Sequence, residues 1–381
     1  MGHSDVAIIG GGVIGSAIAY FLAGPIGFKG KVTVIEKDPT YETAATARSA
    51  GGIRQQFSTP ENIEISKFGA AFIKSIGEHL AVDGEAPQIP FVEWGYLFLA
   101  SGTGIDNLRS NHRTQTALGA DIALLSPDEL KHKFPWLNVE DLAAGCLGLS
   151  NEGWTDPYGL LQAFRRKARA LGVTYLADEA VGLRRSGSRV AEVELRGGQA
   201  IACGSVVNAA GLHADKVAGW LDIDLPVRPR KRFVYVFDCR DKPERAPLTI
   251  DPSGVWCRPE GANFICGVSP PEDEDPDCTD FELDYRLYED VIWPALAHRI
   301  PAFEAIKLAR AWVGHYDYNT LDQNAILGPH PDLRNFYFAN GFSGHGLQQS
   351  PGVGRAIAEH IAFGQYRSID LRRLSFERVL N

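Results

Sequence analysis

Apolar runs and helical patterns alternate in the first part of the chain. An apolar run at 6–9 enters a glycine-rich turn, and the residues after Gly15 are apolar at helical spacing. A second apolar run over 31–36 ends in the acid Glu36. The pattern predicts a strand, a tight turn, a helix and a second strand, which is the order of a βαβ unit.

The turn of this unit has the spacing Gly10-x-Gly12-x-x-Gly15, which is typical of dinucleotide binding when it joins a strand to a helix. Gly10 permits the tight turn, Gly12 lets the backbone approach a pyrophosphate, and Gly15 lets the helix pack closely on the strand. The helix N-terminus presents free N–H groups to the phosphates. Glu36 is expected to accept hydrogen bonds from ribose hydroxyls. The alternative, a glycine-rich turn without a ligand, is disfavoured because strand, turn, helix, strand and acid coincide.

The same alternation continues along the chain. Thr59 and Pro60 begin a helix whose apolar positions recur up to Leu80, and these positions are expected in the core. Asp156 caps another helix, which Gly172 ends. The other predicted elements are helices at 127–134 and 286–298, a short apolar piece at 94–99, and strands at 173–183, 189–196, 200–208, 232–237, 254–258 and 263–267.

A second glycine-rich turn lies near the C-terminus. A strand at 335–340 runs into Gly341-Phe-Ser-Gly-His-Gly346, and a helical pattern follows. The predicted strand at 200–208 also ends in small residues, at 209–211. A second turn of this kind predicts a cofactor that is contacted at both ends, which suits FAD. A nicotinamide cofactor is disfavoured because it leaves the second turn without a purpose.

Length, charge and cysteine content narrow the class of protein. A chain of 381 residues is expected to form two domains. The net charge of −9 disfavours nucleic acid and anionic membranes as partners, and no apolar run approaches ~18 residues. The six cysteines form no C-x-x-C pair, which favours reduced thiols over a metal site or disulfides. Since no targeting segment is recognised, a cytoplasmic location is expected. The oligomeric state stays open.

The chain resembles the superfamily of FAD-dependent amine and amino-acid oxidases, which includes D-amino-acid oxidase, glycine oxidase and sarcosine oxidase. The two glycine turns, Glu36 and Asn208-Ala-Ala-Gly211 carry this resemblance. Further segments resemble a mitochondrial branch of the family that is linked to respiratory complex I assembly. They are Gly51–Phe57, Lys133–Trp136, Pro229–Arg232, Tyr316–Thr320 and Gly341–Gln349.

The resemblance implies an α/β FAD-binding domain of the Rossmann-like, glutathione-reductase type, interwoven with an α+β substrate domain built on a mixed antiparallel sheet. Residues 1–83, 149–220 and 326–381 are expected to form the FAD domain, and residues 84–148 and 221–325 the substrate domain. An amine that carries a carboxylate is expected to give hydride to flavin N5, and the imine then hydrolyses. Oxygen, a quinone or another electron carrier is expected to reoxidise the flavin.

The candidate FAD contacts lie in the two glycine turns, in the polar segment after the second strand and at the ends of later strands. They are Gly10, Gly12, Val13, Ile14, Gly15, Glu36, Lys37, Arg48, Ser49, Ala50, Gly51, Gly52, Val181, Ala209, Ala210, Gly211, Gly314, Gly344, His345, Gly346, Leu347 and Gln348. Monomeric sarcosine oxidase has a cysteine that bonds the flavin near the position of Gly314. Since glycine stands here, and 41–57 contains no histidine, the resemblance implies non-covalent FAD.

Arg54 is the first candidate for substrate binding, because it matches the family position that binds the substrate carboxylate. A guanidinium fork suits a carboxylate, although a surface or phosphate-facing arginine is the alternative. Arg258 is a second candidate, and Lys231 or Arg232 can serve a second acid group. Gln348 stands where the sarcosine oxidase has a lysine, so it can donate a hydrogen bond without adding charge.

Three further residues are candidates beside the flavin. Tyr316 and Tyr318 can bond the substrate or can be ordinary core tyrosines. His345 can contact the flavin or act as a base. Alternatively, it can be a turn residue whose ring nitrogens form hydrogen bonds with the backbone. With the arginines, these residues favour an oxidase or dehydrogenase of sarcosine-like, proline-like or iminodiacetate-like amines. The alternative is a flavoprotein with little or no catalysis that acts in assembly or binding.

Overall fold

The computed structural model describes residues 2–380. The strands are β1 Gly2–Ile9, β2 Val32–Glu36, β3 Gly52–Ile53, β4 Phe91–Val92, β5 Tyr96–Ala100, β6 Ile122–Leu125, β7 Ala144–Gly148, β8 Gly153–Thr155, β9 Thr174–Ala177, β10 Ala180–Ser186, β11 Arg189–Leu195, β12 Ala200–Asn208, β13 Val227–Cys239, β14 Leu248–Ile250, β15 Trp256–Glu260, β16 Asn263–Gly267, β17 Ile306–Asn319, β18 Ile326–Pro329 and β19 Phe336–Asn340. The helices are α1 Val13–Ala23, α2 Pro60–Lys74, α3 Ile76–Leu80, α4 Ile105–Ala117, α5 Pro127–Lys133, α6 Pro157–Ala170, α7 Ala214–Gly219, α8 Tyr285–Leu287, α9 Trp293–Arg299 and α10 Gly346–Phe363.

The first sheet has a parallel centre in the order β9-β2-β1-β12-β19. Residues 6–9 of β1, most of β2 and all of β19 are buried and mainly apolar, because both faces of the sheet are covered there. Val6 and Ile8 of β1 pack in a core with α1, α2, α6 and α10, whereas Ala7 and Ile9 pack in a second core with α7. The carboxyl ends of β1, β2 and β12 therefore meet at one edge, where open parallel sheets bind ligands.

The second sheet has the order β17-β13-β16-β15-β14-β5-β7-β6. Its pairs are antiparallel except for β14 with β5, which are parallel. One face packs on α5 and on the segment α8–α9, which a π-helical turn connects. The opposite face is directed toward the first sheet and lines a cavity. A small third sheet has the order β3-β8-β4. Its strands belong to chain segments that connect the first large sheet to the second.

The predicted fold class is confirmed, with a parallel sheet of Rossmann type and a mixed antiparallel second sheet. All strands of the first large sheet fall within the segments assigned to the FAD domain, and all strands of the second fall within the other segments. The domain boundaries themselves stay a prediction. None of the helices between residues 2 and 380 combines the length and the hydropathy that a membrane span requires.

Several element predictions need correction. The helix predicted from Pro60 to Leu80 is interrupted at Ser75, and the strand predicted at 173–183 is two strands, β9 and β10. The sequence reading missed α4, which has little apolar content, and the long strand β17. Most of β17 lies beside β13 at one edge of its sheet, so its pattern is less regularly apolar than that of a central strand.

Candidate active site

A cavity of about 590 Å³ lies between the carboxyl edge of the first sheet and the open face of the second. The turn after β1, the end of β2 and the segment after β12 line one end, which we call the dinucleotide end. Residues of β5, β13, β14, β15 and β17 line the other, which we call the substrate end. The C-terminal turn before α10 contributes to the wall between them.

The first glycine turn leaves no room for a side chain at Gly10 or at Gly15. Gly10 has φ +101°, and a Cβ there would lie 2.3 Å from the carbonyl oxygen of Ala209. A Cβ on Gly15 would lie 2.0 Å from the carbonyl oxygen of Gly10. Within residues 2–380, the N–H groups of Gly12 and Ile14 have no protein acceptor. These groups at the start of α1 are therefore available to a phosphate.

Glu36 lies at the end of β2 and lines the same end of the cavity. One carboxylate oxygen accepts the N–H of Gly11 at 2.7 Å, and the other accepts that of Asp38 at 2.8 Å. Burial raises the pKa of Glu36, although these hydrogen bonds oppose the shift. The backbone thus fixes the orientation of a carboxylate that can accept from ribose hydroxyls. Together with the free N–H groups, it fits the adenosine and pyrophosphate parts of FAD.

Arg54 follows β3 and lines the substrate end. Its guanidinium carbon lies 3.9 Å from the centroid of the Phe57 ring and 5.3 Å from that of Phe98. Burial lowers its pKa from the ordinary arginine value. Arg54 takes part in none of the ion pairs found within residues 2–380. It is a partly buried cation whose charge the protein leaves without a directly paired carboxylate.

His345 contacts this cation. One terminal nitrogen of Arg54 lies 2.9 Å from Nε2 of His345, so Nε2 accepts and the ring proton is on Nδ1. Burial, followed by the charge of Arg54, lowers the pKa of His345 to about 3. The other terminal nitrogen of Arg54 donates to the carbonyl of Gln56. In this arrangement His345 is a neutral acceptor that orients Arg54, a role that the sequence did not predict, and contact with the flavin stays a prediction.

Gln348 and Tyr316 complete the surroundings of Arg54. The side-chain carbonyl of Gln348 accepts the backbone N–H of Arg54 at 2.6 Å, which directs its amide nitrogen elsewhere. No hydrogen bond within residues 2–380 uses that nitrogen or the hydroxyl of Tyr316, and both residues line the cavity. The Tyr316 ring packs against the C-terminal turn, where a Cβ on Gly344 would lie 2.3 Å from it. Both side chains can therefore donate to a ligand.

The segment that carries Arg54 is held by a buried acid, Glu152, directly before β8. Its carboxylate accepts the backbone N–H groups of Gln55 at 2.5 Å and Gln56 at 3.1 Å, and the Gln56 side-chain amide at 2.8 Å. Burial raises the pKa of Glu152 to about 7, against the effect of these hydrogen bonds. Glu152 is a positioning residue that the sequence reading missed.

The other predicted cations are already bonded. Arg258 donates to the carbonyls of Ala50 and Pro259 and to Glu260, and it does not line the cavity. Arg232 forms a two-point pair with Asp275, at 2.8 and 2.6 Å. Lys231 pairs with Asp280 at 2.8 Å. Since all three residues have acid partners, the geometry does not favour their assignment to a second substrate carboxylate, which stays a prediction.

Four more predicted site residues lie outside the cavity lining. The side chain of Val181 is 38% exposed, and the neighbouring Ala180 lines the cavity instead. The Tyr318 hydroxyl points to Glu272, 3.4 Å away. At Gly15 and Gly51 another part of the backbone comes too close for a side chain: the carbonyl of Gly10 at Gly15, and the carbonyl of Thr155 at Gly51. The lining includes the other candidates: Gly10, Gly12, Val13, Ile14, Glu36, Lys37, Arg48, Ser49, Ala50, Gly52, Arg54, Ala209, Ala210, Gly211, Gly314, Tyr316, Gly344, His345, Gly346, Leu347 and Gln348.

The sequence reading also missed contacts that only folding creates. Thr46 lines the cavity, and its hydroxyl accepts the N–H of Val13 at 3.3 Å. Tyr96 lines the substrate end, and its hydroxyl faces Gly52. At the dinucleotide end, Nζ of Lys37 lies 2.6 Å from Nε2 of His213. The polar character of segment 40–57 was a signal for Thr46, whereas Tyr96 sits in an apolar strand and gave none.

Comparison with known proteins decides the family. The model of the family described as "DAO: FAD dependent oxidoreductase" matches residues 5–360. The chain belongs to this family. Its members depend on FAD, so the predicted cofactor is confirmed, while non-covalent attachment stays a prediction.

The chain is similar to proteins of the family along nearly all of its length. It is 45% identical to FAD-dependent oxidoreductase domain-containing protein 1 of Xenopus laevis, over 99% of this chain and 82% of that protein. This confirms the branch that the shared segments indicated. It is 27% identical to mitochondrial sarcosine dehydrogenase of Mus musculus, over 97% of this chain but 41% of that protein. The crystal structure of L-proline dehydrogenase from P. horikoshii is similar with a TM-score of 0.87 and 27% identity, covering 99% of both chains.

Proposed function

We propose that this oxidoreductase acts on the C–N bond of an amine whose reacting carbon also carries a carboxylate, such as a secondary amino acid or an N-substituted glycine. Arg54 is the observation that carries the proposal. A partly buried cation without a directly paired acid is unfavourable, and a ligand carboxylate removes that cost. Relatives named as sarcosine and dimethylglycine dehydrogenases support the same substrate class.

The residues around Arg54 provide the remaining contacts for such a ligand. The guanidinium can bind the carboxylate, while the free amide nitrogen of Gln348 and the hydroxyl of Tyr316 donate beside it. FAD, when bound, accepts the hydride from the carbon next to nitrogen. These contacts fix which carbon of the ligand is presented and in which orientation.

The amine must be neutral before its carbon can lose hydride. His345 is poorly suited to accept that proton, because its Nε2 already accepts a hydrogen bond from Arg54 and because burial and the Arg54 charge lower its pKa to about 3. The ammonium therefore loses its proton to solvent, and the rate of flavin reduction is expected to rise with pH up to the pKa of the amine itself. Imine hydrolysis follows, and we propose oxygen, a quinone or another carrier as the final electron acceptor.

We also propose that the protein works in a reducing compartment such as the cytoplasm. All six cysteines are free, and four of them are buried. Free thiols persist where disulfides are kept reduced.

The test is anaerobic bleaching of the flavin by N-methylleucine and by its counterpart without the carboxylate, N-methyl-isopentylamine. Breaking a buried charge pair costs about 2–5 kcal/mol, so Arg54→Met should slow reduction by the acid roughly 30- to 5,000-fold in the second-order rate. Arg372→Met, at an exposed arginine, is the matched control. Equal reduction by both amines, or an unaffected Arg54→Met variant, refutes the assignment. Bleaching by no amine favours the role in assembly or binding.

A further inference from the structure

The substrate end of the cavity has an apolar wall on one face of the second sheet. In the register of this sheet Leu248 lies opposite Tyr96, and Ile250 lies opposite both Phe98 and Trp256. Side chains that face each other across a ladder share one face of the sheet. Leu248, Ile250, Trp256 and Tyr96 all line the cavity.

The edge of this wall is also apolar. Val268 is 8% exposed and lines the cavity after β16, and Phe281 lines it from the following segment. Phe281 is 40% exposed, and its ring lies 4.6 Å from the guanidinium carbon of Arg48. Large apolar side chains therefore extend from the interior of the substrate end to its rim.

The cations near this wall do not offer a second charged contact. Of the three arginines considered for substrate binding, only Arg54 lacks an acid partner within residues 2–380, since Arg232 and Arg258 are paired with Asp275 and Glu260. Arg48 also lacks an acid partner in this part of the chain, but two of its nitrogens donate to the carbonyls of Glu42 and Val313 and its guanidinium lies over the Phe281 ring. A second ligand carboxylate would have to be buried against apolar side chains, which is strongly unfavourable for an unpaired charge.

The segment at the rim adds negative charge. Residues 270–284 contain eight acids, of which Asp275, Asp277 and Asp280 are paired with cations of β13. The other five are in no ion pair among residues 2–380: Glu272, Asp273, Glu274, Glu282 and Asp284. Thr279 and Phe281 of this segment line the cavity. An entering dianion meets repulsion here, whereas an ammonium group does not.

We propose that the substrate is a monocarboxylate whose side chain is apolar, of the size of a leucine or phenylalanine side chain, and that dicarboxylates are excluded. This rests on the proposed function and narrows it, because the iminodiacetate-like amines expected from the sequence need a second cation. The side chain lies against Leu248, Ile250 and Trp256, and the carboxylate lies on Arg54.

The binding experiment uses FAD-loaded protein and carboxylates that cannot be oxidised. Acetate, 4-methylpentanoate, phenylacetate and succinate are titrated against the change in flavin absorbance. An apolar pocket discriminates by roughly tenfold or more for each methylene group. We expect 4-methylpentanoate and phenylacetate to bind at least ~10-fold more tightly than acetate or succinate. Equal or tighter binding of succinate overturns the proposal.

The kinetic experiment compares anaerobic flavin reduction by N-methylleucine, N-methylglycine and N-methylaspartate. Ile250→Lys adds a cation to the wall and should shift the preference from N-methylleucine toward N-methylaspartate by at least ~10-fold. Leu321→Lys, on a side chain that is 52% exposed, is the control with the same change of charge. FAD occupancy confirms that the variants are folded. If no amine bleaches the flavin but the binding order holds, the catalytic function fails and the ligand class stands. If the wild type prefers N-methylaspartate or N-methylglycine, the ligand class fails alone.

Discussion

Replacing Glu152 by glutamine tests the buried acid that holds the Arg54 segment. Glu152 is 1% exposed and accepts three N–H bonds from Gln55 and Gln56. Burial raises its pKa to about 7, from an ordinary value of 4.5. Since the folded pKa is above the unfolded one, the proton favours the folded state. The resulting stabilisation is complete below pH 4.5 and is lost as the pH rises through 7.

The magnitude follows from the two pKa values. A difference of about 2.5 corresponds to about 3 kcal/mol in total, of which about 2 kcal/mol is lost between roughly pH 5.5 and 8. Glu152→Gln has no such titration. We therefore expect the free energy of unfolding of the wild type, minus that of the variant, to fall by about 2 kcal/mol over this range.

The assay is urea unfolding of FAD-saturated protein at several pH values between about 5.5 and 8, followed by tryptophan and flavin fluorescence. Glu85→Gln, at a side chain that is 76% exposed, is the matched control and should show no such trend. A stability difference that stays constant with pH, or that grows in favour of the wild type as the pH rises, refutes the reasoning about Glu152.

Three other predictions concern the cofactor and the C-terminal turn. Glu36→Arg should weaken FAD binding by at least ~10-fold, measured as FAD retained after dialysis, because a cation replaces the acceptor for ribose hydroxyls; unchanged retention contradicts this. Acid precipitation should release all FAD to the supernatant, and colour left in the pellet would show a covalent bond. Gly344→Val should cost at least about 2 kcal/mol, because φ is +94° and its Cβ would overlap the Tyr316 ring. Gly102→Val, where the Cβ has no neighbour within 4 Å, is the control in thermal unfolding.

The cofactor-binding half of the molecule was readable from the sequence because its signals are local. Gly10, Gly12 and Gly15 are set by the backbone of one strand–turn–helix unit, and Glu36 ends the next strand. Each residue type is demanded by steric or charge conditions within that short stretch. The resemblance to an oxidase family extended this reading to the fold class and to FAD.

The substrate half was not readable in the same way, because its residues meet through long-range pairing. Arg54 and Arg258 look alike along the chain, yet Arg54 has no acid partner. Arg258, in contrast, pairs with Glu260 and donates to the carbonyl of Ala50. Glu152 gave no signal, because its three N–H donors lie about a hundred residues earlier.

The character of the substrate end likewise depends on tertiary structure. The register of β14 between β5 and β15 brings Leu248, Ile250, Trp256 and Tyr96 to one face of the sheet. Any of these residues could equally face the core of that domain, because strand patterns specify alternation but not which face closes a cavity. The sequence by itself therefore determined the family and the cofactor, and it singled out Arg54 as the candidate for binding a carboxylate. Only the tertiary structure decided which cations remain available and that the wall beside them is apolar.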